Sequence, residues 1–458
     1  MLEGILLPEG TIQNLIRYFN EAFAQLGVQV ALGVVEELAV LIHKAMNLQA
    51  RNYHNLEHVF SLVNPKQPVQ TLAALFHDLI YFQVDRGFLP EIQQIISPYI
   101  REQNEGEIRL AVSIPESDRL YHLTLGIFDI KFGQVINPAE GMNEFLSALV
   151  MNKGLQEVLS EEILLQATLC IEGSIPFRES AASGEDHFYQ LESRALAVSE
   201  KLDLALAAAE IQQAVRLAVQ FANQDVESFA DPDVTNFMDT TWKLLPETNE
   251  ALRSADVYTV RQYRLALMGT ESFLSHLPAE KIFHQFCSTP TDVHYKQMIL
   301  QARSNIDTAR FYLQLKLLTQ AVLEALAEET GGDAPLSLFM GDLADQGEST
   351  RRLEDFLPDL PPPAWLDLAS PIYRLLAVGR REEIGFDLKT APTTRFIYQV
   401  LKPEEIHSSI SLARQMFSEK LSYHEFLARM NPQVVRPIAR ACAEMVFTRR
   451  EQLLRFAR

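Results

Sequence analysis

The chain has 458 residues, of which 47% are apolar and 22% charged, enough to build more than one packed core. Its formal net charge of −20 repels nucleic-acid backbones and anionic membrane surfaces, so backbone binding to nucleic acid and adsorption to membranes are not expected. Cys170, Cys287 and Cys442 are far apart with no CxxC pair, the start lacks a basic, apolar leader, and no apolar run is long enough for a bilayer, which together point to a cytoplasmic setting.

Helical periodicity dominates from the first elements. Residues 12–26 place Ile12, Leu15, Ile16, Phe19, Phe23 and Leu26 at spacings of three and four, and residues 34–48 repeat the pattern. Two further helices are expected at 53–62 and 71–82, separated by Pro65 and Pro68. Residues 123–135, rich in Phe and Ile, could hold a short hairpin. Long helices are expected at 155–171, 191–229 and 295–329, the last with Ile299, Ile306, Ala309, Tyr312, Leu313 and Leu317 on one side. The fold class is therefore all-α. A boundary is placed near residue 248, with residues 1–248 as the first domain and 249–458 as a helical C-terminal extension. The glycines and prolines of 330–363 mark a subdivision of that extension.

Three of the eleven histidines cluster in the first domain. His54 and His58 sit in Arg51-Asn52-Tyr53-His54-Asn55-Leu56-Glu57-His58, where a spacing of four stacks both rings on one helical face. His77 and Asp78 interrupt the apolar run Ala73-Ala74-Leu75-Phe76-His77-Asp78-Leu79-Ile80-Tyr81, where an uncompensated carboxylate would be costly. A cation would compensate both groups, and imidazole with carboxylate suits Zn, Fe, Mn or Mg. Adjacent His and Asp side chains can share one ion only if the helix is distorted or ends there.

The segments Tyr53-His54-Asn55-Leu56-Glu57-His58 and Phe76-His77-Asp78-Leu79-Ile80-Tyr81 resemble the metal-dependent phosphohydrolases of the HD superfamily. The first is similar also to the YHNxxH signature of cyclic-nucleotide phosphodiesterases. The resemblance implies an HD-domain-like helical bundle in the N-terminal half, with His58, His77 and Asp78 as ligands of a divalent ion. It implies His54 as the general acid on the leaving oxygen, with Asn55 holding the helix beside the substrate. The family pattern needs a later aspartate, for which Asp225 is the best match and Asp203 and Asp186 are competitors. Asn143-Glu144-Phe145-Leu146-Ser147-Ala148 resembles the family's NExxSA helix but lies far downstream, so residues of about 83–140 read as an insertion, with a substrate lid as its functional reading. Arg178 is the candidate phosphate clamp.

The expected substrate is a small phosphoester, with a nucleotide among the candidates, since a bound cation inverts the sign of the local field in an acidic protein. The rival expectation is an HD-fold scaffold without turnover that binds a ligand or partner. The C-terminal helices carry no defensible chemistry and are candidates for a homo-oligomer seam or a protein partner. GxxxxGK[ST], HExxH and GxSxG motifs are absent.

Overall fold

Prolines and capping side chains cut the helical sequence into its elements. The helices Pro68–Phe76, Pro371–Ala377, Pro392–Val400, Pro403–Phe417 and Pro432–Met445 each carry proline in their first turn, where its missing N–H costs nothing. Asn55, Asp118, Asp186, Asp233, Thr259, Ser370, Ser422 and Asn431 accept hydrogen bonds from the first-turn backbone of the helices they precede. The computed structural model describes residues 10–104, 106–177, 186–254, 257–342 and 351–458. Helices make up 67% and strands 3%, so the fold is all-α. Among the described residues no helix is long and apolar enough to cross a membrane.

The chain forms two compact units, Met1–Glu227 with Pro278–Leu300, and Ser228–Leu277 with Gln301–Arg458. This grouping places residues 228–248 with the later unit and returns 278–300 to the earlier one, a segment exchange that a single cut near 248 does not describe.

The first unit contains α1 (Thr11–Gln25), α2 (Leu32–Met46), α3 (Leu56–Leu62), α4 (Pro68–Phe76), α5 (Phe82–Asp85), α6 (Pro90–Ile96), α7 (Arg119–Phe128), α8 (Met142–Leu155), α9 (Glu161–Gly173), α10 (His187–Lys201) and α11 (Ala208–Asp225). Helix α9 is buried on nearly all sides from Leu164 onward, and α4, α7, α8, α10 and α11 pack around it. A helix so enclosed must satisfy its polar side chains internally. Thr168 does so with Asn152, whose amide also reaches Thr124, which ties α7, α8 and α9 together through two 3.0 Å bonds.

Several expected elements differ. Residues 123–135 form no hairpin: α7 runs to Phe128, started by Asp118, whose carboxylate accepts from Tyr121 N. The small antiparallel sheet is built instead from β1 (Ile100–Asn104), β2 (Glu107–Leu110) and β3 (Val135–Ile136), in that order. Residues 155–171 are not one helix, because α8 ends at Leu155 and Ser160 adopts an extended cap that starts α9. Residues 191–229 likewise hold α10 and α11, parted where Asp203 turns left-handed at φ 47°. The segment of about 83–140 is built into the core, with Ile92, Ile96, Ile108, Leu110, Leu120 and Tyr121 all buried.

The second unit contains α12 (Val234–Thr248), α13 (Val260–His276), the part of α14 (Asp292–Thr330) from Gln301 on, and α15 (Leu336–Met340) to α21 (Arg450–Phe456). All six side chains expected on the apolar side of α14 are buried. Trp242 is fully enclosed.

Candidate metal centre

Three chain segments of the first unit deliver the side chains in question. Asn55 opens α3: its Oδ1 accepts from the N–H groups of Glu57 and His58 at 2.9 and 3.3 Å, and its Nδ2 donates to Asn52 O at 2.8 Å. The helix therefore begins at Leu56, and His54 lies in the turn before it rather than one turn down the same face. This corrects the stacking expected from the spacing of four. The physical reason is the cap: the amide of Asn55 offers the backbone a better start than a longer helix would. Both ends of that amide are taken up in the turn, so Asn55 acts on the helix.

Helix α4 ends at Phe76, and His77 and Asp78 follow as a turn. The break frees two adjacent side chains to point together. It also leaves backbone N–H groups that the helix no longer satisfies. Ser147 Oγ accepts from Ile80 N and Asn143 Oδ1 from Phe82 N, each at 3.0 Å, so Asn143 and Ser147 of α8 hold the turn in place. From the other side Arg51, fully buried, donates to Asp78 O at 2.6 Å and Leu79 O at 3.2 Å while forking onto the Asp85 carboxylate.

Asp225 closes α11, and its neighbours fix that end. Gln224 accepts from Gln70 and donates to Ser61 O, and Asn223 exchanges two 2.8 Å hydrogen bonds with the backbone of His284. These contacts join the last turn of α11 to α3, α4 and the segment after Pro278. The competitors are elsewhere: Asp186 caps α10, and Asp203 sits in the turn after it.

The side chains converge. His58 Nε2 lies 3.0 Å from Asp225 Oδ1 and 3.4 Å from Asp78 Oδ2, and His77 Nε2 lies 2.9 Å from Asp78 Oδ2 and 3.7 Å from Asp225 Oδ1. Ligand atoms of His58, His77 and Asp225 all fall within 4.8 Å of one another. His77 Nδ1 is 2.9 Å from Ala74 O. A carbonyl oxygen can only accept, so Nδ1 carries a proton, and whenever the ring is neutral its Nε2 lone pair points at the cluster, the orientation a metal-ligating histidine needs. The two Nε2 atoms face each other at 3.4 Å, where at most one can donate to the other. Asp78 Oδ2 is buried without a hydrogen-bond partner, although it is close to both rings. Two ring nitrogens and two carboxylates crowded on one point, with one carboxylate oxygen left unpaired, are a donor set that fits a cation.

The rings are nearly enclosed, 5% exposed for the His58 side chain and 2% for His77, while the Asp78 and Asp225 carboxylates retain 18 and 16%. The cluster is thus open only on its carboxylate side. With no ion, burial pulls His58 down, but the Asp225 and Asp78 carboxylates that face it more than offset this, raising the imidazole to about 9. His77 rises well above its ordinary value by the same balance. Burial pushes the two carboxyls up, yet the facing imidazoles hold Asp225 down at about 2 and Asp78 well below the usual carboxylate range.

His54 stands at the edge of this cluster, half-buried, its ring 4.9 Å from Tyr53, 4.4 Å from Tyr81 and 5.8 Å from His58 between centroids. Arg178 lies outside the described residues. His187 belongs to a separate buried pair, 2.9 Å from Glu172, which Arg194 also meets at 2.7 Å. The sequence reading missed Arg51, Gln70 and Gln224. Their signal was weak, since a lone Arg before the motif and two glutamines on helix faces read as surface. No protein-family model matches the chain, and no curated protein or solved structure matches it either.

Proposed function

We propose that the first unit is an HD-type, metal-dependent phosphohydrolase acting on a small phosphoester, with His58, His77, Asp78 and Asp225 holding a divalent ion. The observation that carries this reading is the convergence of two imidazole Nε2 atoms and two carboxylates on one buried point, with Asp78 Oδ2 unanswered there. A divalent ion held by these groups would neutralise phosphoryl charge and make water acidic enough to attack near neutral pH. The chain's own residues do the rest. His77 is oriented by its Nδ1–H on Ala74 O, and Arg51 with Asn143 and Ser147 keep the His77–Asp78 turn from relaxing into helix. His54, half-buried between Tyr53 and Tyr81 at the rim, donates a proton to the departing alkoxide. The enclosed rings keep bulk water off the inner side, so a phosphate ester approaches from the exposed carboxylate edge.

Activity on a panel of phosphomonoesters and phosphodiesters, with Mn, Mg, Zn or Fe supplied, tests this. The expected result is turnover in the wild type that falls by at least about a hundredfold in His77→Ala and in His54→Gln. Equal rates in wild type and His77→Ala would remove the proposal.

One observation favours a second reading. Without an ion the four groups form two imidazolium–carboxylate pairs, so they could serve as a structural ion-pair cluster in an HD-fold scaffold without turnover. Under that reading His77→Ala lowers stability, and added divalent ions change neither stability nor activity.

A further inference from the structure

The second unit contains a cavity that plays no part in the metal centre. Along α14, Lys316, Gln320 and Glu324 recur at intervals of four and so share one helix face, yet all three are buried, at 5, 3 and 1% exposed. Glu324 is answered by Arg264, which forks onto it at 2.9 and 3.1 Å. Lys316 Nζ meets Asp387 Oδ2 at 2.6 Å, and the same oxygen takes the Trp242 indole N–H at 2.7 Å and lies 3.5 Å from Arg380. The Arg380 guanidinium rests on the Trp242 ring, 4.6 Å from its centroid. Gln320 is not answered: its Oε1 is buried without a partner.

Gln320, Lys316, Asp387, Tyr263 and Thr393 all line one cavity. The hydroxyls of Tyr263 and Thr393 are likewise buried and unpartnered. Three orphaned polar atoms around one hollow are unusual in a folded interior, where such groups are nearly always paired. The hollow offers about 50 Å³ to water-sized occupants, room for roughly four of them or one compact solute. The charge around it is unbalanced as well. Lys316 in the wall and Arg380 behind Asp387 bring two positive charges against the single carboxylate of Asp387; Arg352, which also lines the hollow, is answered by Glu354 at 2.8 Å, and Asp239 is turned to the backbone N–H groups of Arg381 and Glu382. Burial and the Arg380 charge hold the Lys316 ammonium below its ordinary value, which Asp387 offsets only in part.

We propose that this cavity binds a compact, singly charged oxyanion that carries its own hydroxyl, a small 2-hydroxycarboxylate. Each feature of that ligand answers one feature of the wall. Its single negative charge matches the surplus positive charge, which water leaves uncompensated and a dianion overshoots. Its carboxylate oxygens accept from Lys316 Nζ and from the Tyr263 and Thr393 hydroxyls. Its hydroxyl donates to Gln320 Oε1, which a ligand made only of acceptors would repel.

Calorimetric titration of the full chain with glycolate tests the assignment, with acetate, ethylene glycol and inorganic phosphate as comparators. Glycolate is expected to bind at least about tenfold more tightly than acetate, which lacks the hydroxyl, or ethylene glycol, which lacks the charge. Tyr263→Phe and Thr393→Val each remove an orphaned hydroxyl with little change of shape. Each should weaken glycolate about tenfold and leave the unfolding temperature unchanged or higher. The proposal is overturned if glycolate gives no binding heat up to a concentration of about 10 mM, that is, if its affinity is weaker than about −3 kcal/mol. It is equally overturned if acetate or phosphate binds as tightly as glycolate, or if both variants bind like the wild type, the result expected of a cavity that holds only water.

Discussion

Replacing Arg51 by methionine should loosen the metal centre without touching any of its ligands. The Arg51 side chain is fully buried, and the Asp85 carboxylate that it forks onto is 7% exposed. Removing the guanidinium strands that charge in the interior and leaves the carbonyls of Asp78 and Leu79 without their donors. Breaking a buried pair from one side costs about 3–5 kcal/mol, and each orphaned carbonyl adds about 1 kcal/mol or more unless it relaxes toward water. We therefore expect a loss of about 5–7 kcal/mol, concentrated in the turn after α4. Hydrogen exchange of the peptide covering residues 68–85 reads that loss locally, which matters in a chain of two compact units where a single unfolding midpoint is ill defined. The double variant Arg51→Met/Asp85→Leu removes the stranded charge and should recover all but about 2 kcal/mol, the share of the two carbonyls. Metal affinity should fall about 10–100-fold in both variants, because the turn that aims His77 and Asp78 has lost its clamp. A drop in protection below about 1 kcal/mol in Arg51→Met would refute the clamp, as would unchanged metal affinity in the double variant.

Three further outcomes follow from the geometry. The His58 imidazole, raised to about 9 in the ion-free cluster, contributes stability that is complete below its ordinary value near 6.5 and lost as pH rises through about 9. Chelated protein should therefore lose up to about 3 kcal/mol between pH 6 and 10, and saturating ion, which displaces the proton, should abolish that decline in denaturation curves. Asn55→Ala removes the α3 cap and should cost about 1 kcal/mol while lowering metal affinity, because His58 N loses its acceptor; unchanged affinity by titration would show that the cap does not aim His58. Gly126→Ala would bring a methyl within 2.4 Å of Val198 Cγ2 where α7 meets α10, so thermal unfolding should show about 1–3 kcal/mol of overpacking; no change would mean the two helices part freely.

Much of this was legible in the sequence, and the failures have physical causes. Periodicity located α1, α2 and α14, because one apolar face decides those elements; Pro65 and Pro68 marked a break before a helix expected at 71–82, whereas α4 starts at Pro68 itself and ends at Phe76. The convergence of His58 with His77 and Asp78 could be expected once a helix break after Phe76 was required, since adjacent side chains cannot otherwise share a point. The position of His54 was misjudged because a spacing of four is silent on where a helix begins, which the Asn55 amide decides. The sheet was placed in 123–135 because a Phe- and Ile-rich run of buried helix looks like a strand when burial hides the period. The supports of Asp225 could not be read at all, because Gln70–Gln224 and Asn223–His284 join residues 154 and 61 positions apart. The buried stripe Lys316, Gln320, Glu324 carries no signal of burial in the sequence, since polar side chains on an amphipathic helix usually face water.

The central claim is that one cation sits among His58, His77, Asp78 and Asp225. Titrating the chelator-treated protein with manganese while following the free-ion electron paramagnetic resonance signal tests it most directly. One ion bound per chain in the wild type, with binding abolished in both His77→Ala and Asp225→Asn, is the predicted result. A free-ion signal that rises from the first addition, or the same uptake in both variants as in the wild type, would contradict it.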